Sequence, residues 1–308
     1  MLIRIGTRGS KLALAQSSMV QRGLARQCPG VRFELVLIKT HGDEYQSVEL
    51  FKKTRTGVFT KEIEKKLLDG SVDVAVHSLK DLPTDLAKGL RLGAIPKRAP
   101  SEDVLISRHL YTLESLPPGA KVGTGSPRRK RQILRLRPDL KLVDLRGNLD
   151  TRVSKVLKEK SLAAVVVARA GLERLKKFKR SFRAIPAKQV LPAVGQGALG
   201  LEIRDKDRVV EKIVRLLNHP ESEILAHAER RFLKELRGGC RVPVGILSKR
   251  IGNKIYLKAA VFSVKNPGCV QAEITRPYSQ SLEAGTALAK MLLKKGARQF
   301  LLEARSGS

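Results

Sequence analysis

Short apolar runs alternate with amphipathic segments of helical periodicity along the first two thirds of the chain. Residues 2–5, 33–38 and 72–76 are apolar runs of strand length, and residues 13–25 and 59–68 have the apolar spacing of a helix. Alternation of this kind predicts parallel β-sheets whose faces are covered by helices. The pattern therefore constrains this part of the chain to an α/β fold.

The alternation stops near residues 95–103, where Pro96 and Pro100 flank a charged stretch, and then starts again. Three strand-like runs and two helical segments follow, at residues 121–124, 142–143 and 163–167 and at residues 127–136 and 170–177. We therefore predict two similar α/β lobes joined by a hinge. The glycine-rich residues 192–200 have the composition of a segment that returns across that hinge.

The last third of the chain has a different pattern. Helical segments around residues 223–236 and 282–294 lie on either side of strand-like pieces such as residues 255–262. This predicts a smaller C-terminal α+β domain. The predicted boundaries are residues 1–97 with 196–216 for the first lobe, 98–195 for the second and 217–308 for the C-terminal domain.

The composition is typical of a globular protein that attracts anions. The chain has 308 residues, 42% of them hydrophobic, which is enough for two or three domains with separate cores. Its 61 Lys and Arg against 29 Asp and Glu give a formal net charge of +32. Nucleic acid is one such anion, but only 4% of the residues are aromatic and no zinc-finger spacing or RNA-recognition signature occurs. We therefore expect no nucleic-acid role.

The cysteines point to a reducing compartment. Cys28, Cys240 and Cys269 form an odd and widely scattered set, which argues against a disulfide framework. The first residues enter a strand-like run at once and lack the apolar core of a signal peptide, and no stretch has the length of a membrane span. We therefore expect a cytoplasmic protein.

One of these cysteines has the setting of an attachment point. Cys240 follows Gly238 and Gly239 and precedes Pro243 by three residues. Two glycines permit a sharp turn and keep bulk away from the sulfur. Cys240 could therefore hold a covalent group on an exposed turn.

Basic and hydroxyl residues follow several of the predicted strands. Arg8 and Ser10 come after the first strand, and Ser126 begins a helix after a glycine-flanked Thr124. In open α/β sheets ligands bind at this edge, and helix N-termini and guanidinium groups both favour carboxylates or phosphates. A single arginine here could have only a surface or capping role, but five at successive strand ends predict an anion site. The other members are Arg128, Arg129, Arg146 and Arg152.

Two titratable residues near the third predicted strand have alternative roles. Asp81 would stay ionised among arginines and could stabilise a cationic intermediate, or it could be a turn or capping aspartate before Pro83. His77 could act as a general base, but a histidine at a strand end is more often a packed, hydrogen-bonded core residue. We prefer the packed role for His77.

Six short motifs, in order along essentially the whole chain, resemble the porphobilinogen deaminase family. They begin at Thr7, His77, Gly123, Arg146, Ala193 and Gly238 and have the sequences TRGSKLAL, HSLKDLP, GTGSPRR, RGN, AVGQGA and GGC. The resemblance implies a three-domain enzyme with two periplasmic-binding-protein-like α/β lobes and a smaller C-terminal domain. It also implies a place in tetrapyrrole biosynthesis.

The resemblance implies a transferase reaction on a covalent primer. Members of the family join four porphobilinogen molecules head to tail into hydroxymethylbilane and release ammonia at each condensation. A dipyrromethane cofactor, attached through the cysteine that matches Cys240, primes the chain and stays behind when the product is hydrolysed off. Members are usually monomers, and we expect neither a nucleic acid nor a membrane as partner.

The resemblance also implies roles for single residues. Asp81 matches the family's catalytic aspartate, which contacts pyrrole N–H groups and stabilises the cation left by the loss of ammonia. The residues implied in cofactor binding are Cys240, Ser10, Lys80, Asp81, Thr124, Ser126, Arg128, Arg129, Arg146 and Gly171. Those implied in substrate binding are Arg8, Ser10, Phe59, Arg146, Arg152, Arg174 and Gln196, and no metal ligand is implied.

Two positions depart from the family's pattern. Thr56 stands where members carry a loop lysine, and Lys52, Lys53 or Arg55 could supply that charge instead. Pro127 replaces a usual leucine, which is compatible with the first turn of a helix. The main alternative to an enzyme is a non-catalytic two-lobed anion-binding protein, which has no need of a glycine-flanked cysteine.

Overall fold

The computed structural model of the protein describes residues 1–40, 60–145, 147–159, 161–176, 182–237 and 242–306. The chain separates into two compact units. Unit 1 consists of Met1–Ala99 and Ala198–Ile224, and unit 2 consists of Pro100–Gly197 and Leu225–Ser308. Helices and strands are numbered below in chain order within the described residues.

Five strands form the sheet of unit 1. They are β1 (Leu2–Thr7), β2 (Arg32–Leu37), β3 (Val74–Ser78), β4 (Leu90–Ala94) and β10 (Leu199–Arg204). Their order in the sheet is β2-β1-β3-β10-β4. β1 pairs in parallel with β2 and β3, whereas β10 pairs antiparallel with β3 and β4.

Helices cover both faces of this sheet. They are α1 (Lys11–Gln27), α2 (Lys61–Leu68) and α6 (Arg208–Arg215). Val74 and Val76 of β3 belong to a buried cluster with α1 and α6, whereas Ala75 between them belongs to a second cluster with α2. The two clusters lie on opposite faces, because successive residues of a strand point to opposite sides.

A second five-stranded sheet lies in unit 2. Its strands are β5 (Asp103–Ser107), β6 (Lys121–Gly123), β7 (Lys141–Val143), β8 (Ala164–Ala168) and β9 (Phe182–Ile185). Their order is β7-β6-β8-β5-β9, with β6 parallel to β7 and β8, and β5 antiparallel to β8 and β9. The helices that accompany it are α3 (Pro127–Leu136), α4 (Leu149–Lys158) and α5 (Arg169–Leu175).

The two sheets share one plan, which confirms the prediction of two similar α/β lobes. In each, four strands run in one direction and the strand next to the edge runs the other way. The expected parallel pairing is confirmed for β1 with β2 and β3 and for β6 with β7 and β8, but β5 and β10, which were not predicted as strands, run antiparallel to their neighbours. The reason is that a buried strand is the same apolar run in either direction, so its sequence carries no signal for its orientation.

The C-terminal part of unit 2 is a separate three-stranded antiparallel sheet with helices, as predicted. Its strands lie in the order β11 (Val244–Ile251), β12 (Lys254–Phe262) and β13 (Cys269–Pro277), and its helices are α7 (Pro220–Glu235), α8 (Ser281–Leu292) and α9 (Arg298–Ser306). Phe232, Leu257, Leu288 and Leu301 are buried in one cluster. α7 begins in unit 1 and continues into unit 2.

Within unit 2, the three-stranded sheet contacts the segment that follows β9. The Ile246 backbone N–H donates to the Pro192 carbonyl oxygen over 2.8 Å, and Leu191 is buried with Leu247 and Phe262. The predicted division into three domains with the stated boundaries stays a prediction. Among the described segments, no helix is both long enough and apolar enough to cross a membrane.

Candidate functional site

Two predicted residues of unit 1, Arg8 and Ser10, lie between the end of β1 and the start of α1. Ser10 is the N-cap of α1, and its Oγ accepts a hydrogen bond from the Ala13 backbone N–H over 3.2 Å. The Arg8 side chain is half-buried. Serine is a preferred N-cap because its hydroxyl satisfies a backbone donor that the helix leaves free. The local sequence thus places both residues at a strand end, as predicted.

Lys80 and Asp81 lie in a short 3₁₀ turn, Leu79–Asp81, directly after β3. The Leu79 N–H donates to the Ala198 carbonyl oxygen over 3.0 Å, and the Leu82 N–H donates to the Leu79 carbonyl oxygen over 3.3 Å. Leu79 and Leu82 are buried, whereas Asp81 is exposed. Two buried leucines therefore anchor a turn that presents the Asp81 carboxylate to solvent.

A hydrogen bond between Gln16 and Ser78 links α1 to the end of β3. Gln16 of α1 is buried, and its Nε2 donates to the Ser78 Oγ at the end of β3 over 2.9 Å. This bond ties α1, the helix after β1, to the end of β3 directly before the turn that carries Asp81. The presence of a polar glutamine on the apolar face of a predicted helix was the sequence signal that could have identified Gln16.

His77 is a packed core residue, as preferred from the sequence. Its Nε2 lies 3.0 Å from the Glu202 Oε2 of β10, and the two side chains are 6% and 0% exposed. Glu64 of α2 is near this pair. Burial raises the pKa of Glu64, and the Glu202 carboxylate raises it further.

The predicted residues of unit 2 begin at the N-terminus of α3. Thr124 is buried after β6, and its Oγ1 accepts from the Ser126 backbone N–H over 3.3 Å. Ser126 is the N-cap of α3 and accepts from the Arg129 N–H over 3.5 Å, with Pro127 in the first turn. The helix therefore starts where its sequence predicts, since serine caps and proline suits the first turn.

Arg128 and Arg129 are buried and share one carboxylate, that of Asp103 at the start of β5. Each side chain is only 6% exposed, and Asp103 is fully buried. The Arg128 Nη2 lies 2.8 Å from Oδ2 of Asp103, and the Arg129 Nη2 lies 2.7 Å from Oδ1. Asp103 was not predicted as a site residue, because nothing near it in the chain indicates which arginines it will contact.

The charges of this cluster stabilise one another. Burial by itself raises the pKa of Asp103, but the guanidinium groups of Arg128 and Arg129 outweigh burial and hold that pKa well below its usual range. Burial also lowers the pKa of Arg128, and the Asp103 carboxylate opposes this. The cluster therefore holds an ionised aspartate between two cations.

Gln196 joins this cluster from a tight turn. Its Nε2 donates to the Ser101 carbonyl oxygen over 2.6 Å and to Oδ1 of Asp103 over 2.9 Å. Gly195 and Gly197 on either side have φ of 69° and 88°, a region that glycine adopts without strain. The predicted Gln196 and the predicted arginines Arg128 and Arg129 are thus brought together.

Arg174 of α5 contacts the same turn. Its Nη2 donates to the Gly197 carbonyl oxygen over 2.6 Å, and burial lowers the pKa of Arg174 to about 10. The Nε atoms of Arg129 and Arg174 are buried and have no hydrogen-bond partner among the described residues. Buried cationic donors of this kind can bind an anionic group that replaces water.

Of the other predicted site residues, some lie within the described ranges and some outside them. Gly171 is buried in α5, and Arg152 is half-buried on α4. Phe59, Arg146 and Cys240 lie outside the described residues, as does Thr56 in the loop that departs from the family pattern.

Two family models match the chain. The model described as porphobilinogen deaminase, dipyromethane cofactor binding domain, matches residues 3–212, and the model described as porphobilinogen deaminase, C-terminal domain, matches residues 224–294. The first of these models alone spans more than half of the chain.

Named relatives match over nearly the full length. A porphobilinogen deaminase of Syntrophomonas wolfei is 42% identical over 98% of this chain and 99% of its own length. One of Moorella thermoacetica is 43% identical over 99% of this chain and 97% of its own length. Among solved structures, a sulfate-bound mutant of the OxyR2 regulatory domain from Vibrio vulnificus has a TM-score of 0.43 and 14% identity, covering 70% of this chain and 96% of that one.

Proposed function

Because the chain belongs to the porphobilinogen deaminase family, we propose that it condenses four porphobilinogen molecules head to tail into hydroxymethylbilane, with release of ammonia. The observation that carries this function is the match of residues 3–212 to the family's cofactor-binding domain. The dipyrromethane cofactor is covalently bound through Cys240, which lies within the matched C-terminal domain. The finished product is hydrolysed off, and the cofactor stays on the enzyme.

The described arginines fit such a cofactor. Dipyrromethane carries an acetate and a propionate on each ring, and carboxylates removed from water need charged donors. The buried Nε atoms of Arg129 and Arg174, which lack partners among the residues described, are donors of this type. When bound, the cofactor supplies the free pyrrole carbon from which the product grows. We assign to its binding Cys240, Ser10, Lys80, Asp81, Thr124, Ser126, Arg128, Arg129, Arg146 and Gly171.

We assign catalysis to Asp81. Its carboxylate is exposed on a turn that buried Leu79 and Leu82 hold in place, so a ligand can reach it. A carboxylate there accepts hydrogen bonds from pyrrole N–H groups and stabilises the positive charge that develops on the substrate as ammonia leaves. It can also take up the proton that is released when the new carbon–carbon bond forms.

We assign substrate binding to residues that suit the acetate and propionate of each incoming porphobilinogen. Arg8, between β1 and α1, and Arg152, on α4, are half-buried, and guanidinium groups pair well with carboxylates. The residues assigned are Arg8, Ser10, Phe59, Arg146, Arg152, Arg174 and Gln196.

A non-catalytic two-lobed anion-binding protein is not favoured, because the matched family model is that of a cofactor-binding domain. We further propose a cytoplasmic monomer with neither nucleic acid nor a membrane as partner. The odd and widely scattered set of three cysteines supports a reducing compartment.

The intact mass of the purified protein, combined with a product assay, tests this function. We expect a mass above that of the sequence by one dipyrromethane, and hydroxymethylbilane on addition of porphobilinogen. Cys240→Ser should have the unmodified mass and no turnover. The control Cys269→Ser should have the added mass of the dipyrromethane and form product like the wild type. A wild-type protein that never gains mass from porphobilinogen would contradict the proposal.

A further inference from the structure

The two neighbouring arginines of α3 do not act as two free cations. Arg128 and Arg129 together carry two positive charges, and the fully buried Asp103 carries one negative charge between them. The three side chains therefore form a cluster with a formal net charge of +1. A cluster of this charge is neutralised by one carboxylate, not by two.

Both guanidinium groups are fixed independently of any ligand. Nη1 of Arg128 donates to the Leu191 carbonyl oxygen over 2.5 Å, and Nη1 of Arg129 donates to the Val166 carbonyl oxygen over 3.2 Å. Their Nη2 atoms both bind Asp103. Because Asp103 accepts a hydrogen bond from each group, it contributes to their orientation as well as to their charge balance.

One nitrogen of the pair is buried without a partner in the described part of the chain. The Nε of Arg129 is buried and has no partner within the described ranges, although every terminal nitrogen of the pair is bonded. A buried guanidinium N–H without an acceptor is unfavourable until an acceptor arrives. Among the residues that the structure describes, the cluster thus lacks an acceptor at this nitrogen and carries one uncompensated positive charge.

We propose that Asp103 is a positioning residue that sets the charge of the Arg128–Arg129 pair, so that the pair binds a single carboxylate of the dipyrromethane or of the growing oligomer. Asp103 cancels one buried cation and keeps the unloaded protein stable. The ligand carboxylate cancels the other. This inference rests on the proposed function, since that function supplies the carboxylates.

Unit 1 offers a matched control for the same chemistry outside the assigned site. Asp73 also holds two arginines through one carboxylate, with Oδ1 lying 3.0 Å from Nη2 of Arg4 and 3.0 Å from Nη2 of Arg204. Its side chain is 10% exposed. Loss of the Asp73 charge should weaken the fold equally whether or not the cofactor is present.

The test measures how much loading raises Tm in each variant. Unloaded protein is made in cells that cannot synthesise porphobilinogen, it is loaded by incubation with porphobilinogen, and intact mass establishes each state. In Asp103→Asn the cluster is left with two uncompensated cations, so unloaded Tm should fall sharply. The bound carboxylate then replaces part of the missing charge, and we expect the gain in Tm on loading to exceed the wild-type gain by about 3 °C or more.

For Asp73→Asn we expect a lower Tm in both states and a gain on loading equal to that of the wild type. A purely structural role of Asp103 would give this same result for Asp103→Asn, so an equal or smaller gain in Asp103→Asn would overturn the inference. If wild-type protein takes up no mass from porphobilinogen, it is the proposed function that fails, and this inference is overturned with it.

A second measurement applies if unloaded Asp103→Asn does not fold. The variant is then made in cells that do synthesise porphobilinogen. We expect it to be recovered folded and with the mass of one dipyrromethane, because the bound carboxylate replaces part of the missing charge. An Asp103→Asn protein that folds in neither kind of cell would overturn the inference.

Discussion

At the scale of single residues, the site combines side chains with local and with distant partners. Ser10 and Ser126 cap the helices that follow them, and their partners lie three residues ahead in the chain. A serine directly before a segment with the apolar periodicity of a helix predicts such a cap from the sequence alone. Asp103 meets Arg128 across 25 positions, and His77 meets Glu202 across 125. No local pattern specifies those pairs.

Asp81 gives the sharpest single-residue prediction. Replacement of Asp81 by Ala should lower kcat by at least about 10²-fold, because the charge that develops as ammonia leaves loses its counterion. Its side chain is exposed, so the free energy of unfolding should change by no more than about 0.5 kcal/mol. Steady-state kinetics and urea unfolding of the same preparation measure both effects.

The neighbouring Asp85 provides the control, since it is exposed as well and lies on the same loop. Asp85→Ala should keep near-wild-type kcat. Product formation at the wild-type rate by Asp81→Ala would remove Asp81 from the mechanism.

At the scale of elements, many helices and strands were predicted, but the helices α4 and α6 and the strands β5 and β10 were not. The helix predicted at residues 127–136 is α3 (Pro127–Leu136), and the first predicted strand is β1. β10 was not predicted, because the glycine-rich run before it and the charged Glu202 within it obscure its apolar pattern. Glu202 is tolerated there since His77 on the adjacent strand is its partner.

The packing of α8 against α7 depends on Gly285. A Cβ at this position would lie 3.2 Å from the Phe232 backbone nitrogen and would collide with the Ala228 carbonyl oxygen. Backbone atoms cannot move aside as a side chain can, so Gly285→Ala should cost about 1–3 kcal/mol of unfolding free energy through overpacking. Chemical denaturation measures this loss.

Gly30→Ala is the matched control, because a Cβ there would meet nothing within 4 Å. We expect its unfolding free energy to lie within about 0.5 kcal/mol of the wild type. Equal stability of the Gly285 and Gly30 variants would show that the two helices can separate at little cost.

At the scale of the whole molecule, the formal charge of +32 exceeds what the site itself requires. Several arginines are paired in structural networks, such as Arg4 and Arg204 with Asp73. Most of the remaining charge contributes to a positive field around the protein, and such a field accelerates the arrival of anionic ligands.

The substrate carries two carboxylates, so its association should depend on ionic strength. Raising NaCl from low concentration to about 0.5 M should lower kcat/KM several-fold, because the Debye length falls below about 10 Å. The value of kcat should change little, since bound substrate is already inside the site. Initial rates of the loaded enzyme measure both, with sucrose as a neutral control. A salt-independent kcat/KM would show that the field does not assist binding.

The amino-acid sequence by itself determined the α/β alternation, the capped helix starts, the motifs and the family. These depend on periodicity and on residues close together in the chain, where secondary structure is encoded. Only the tertiary structure decided the direction of β5 and β10, the burial of His77 with Glu202, and the sharing of Asp103 by two arginines. Those features arise from contacts between distant segments, whose partners are chosen by packing and charge balance once the chain has folded.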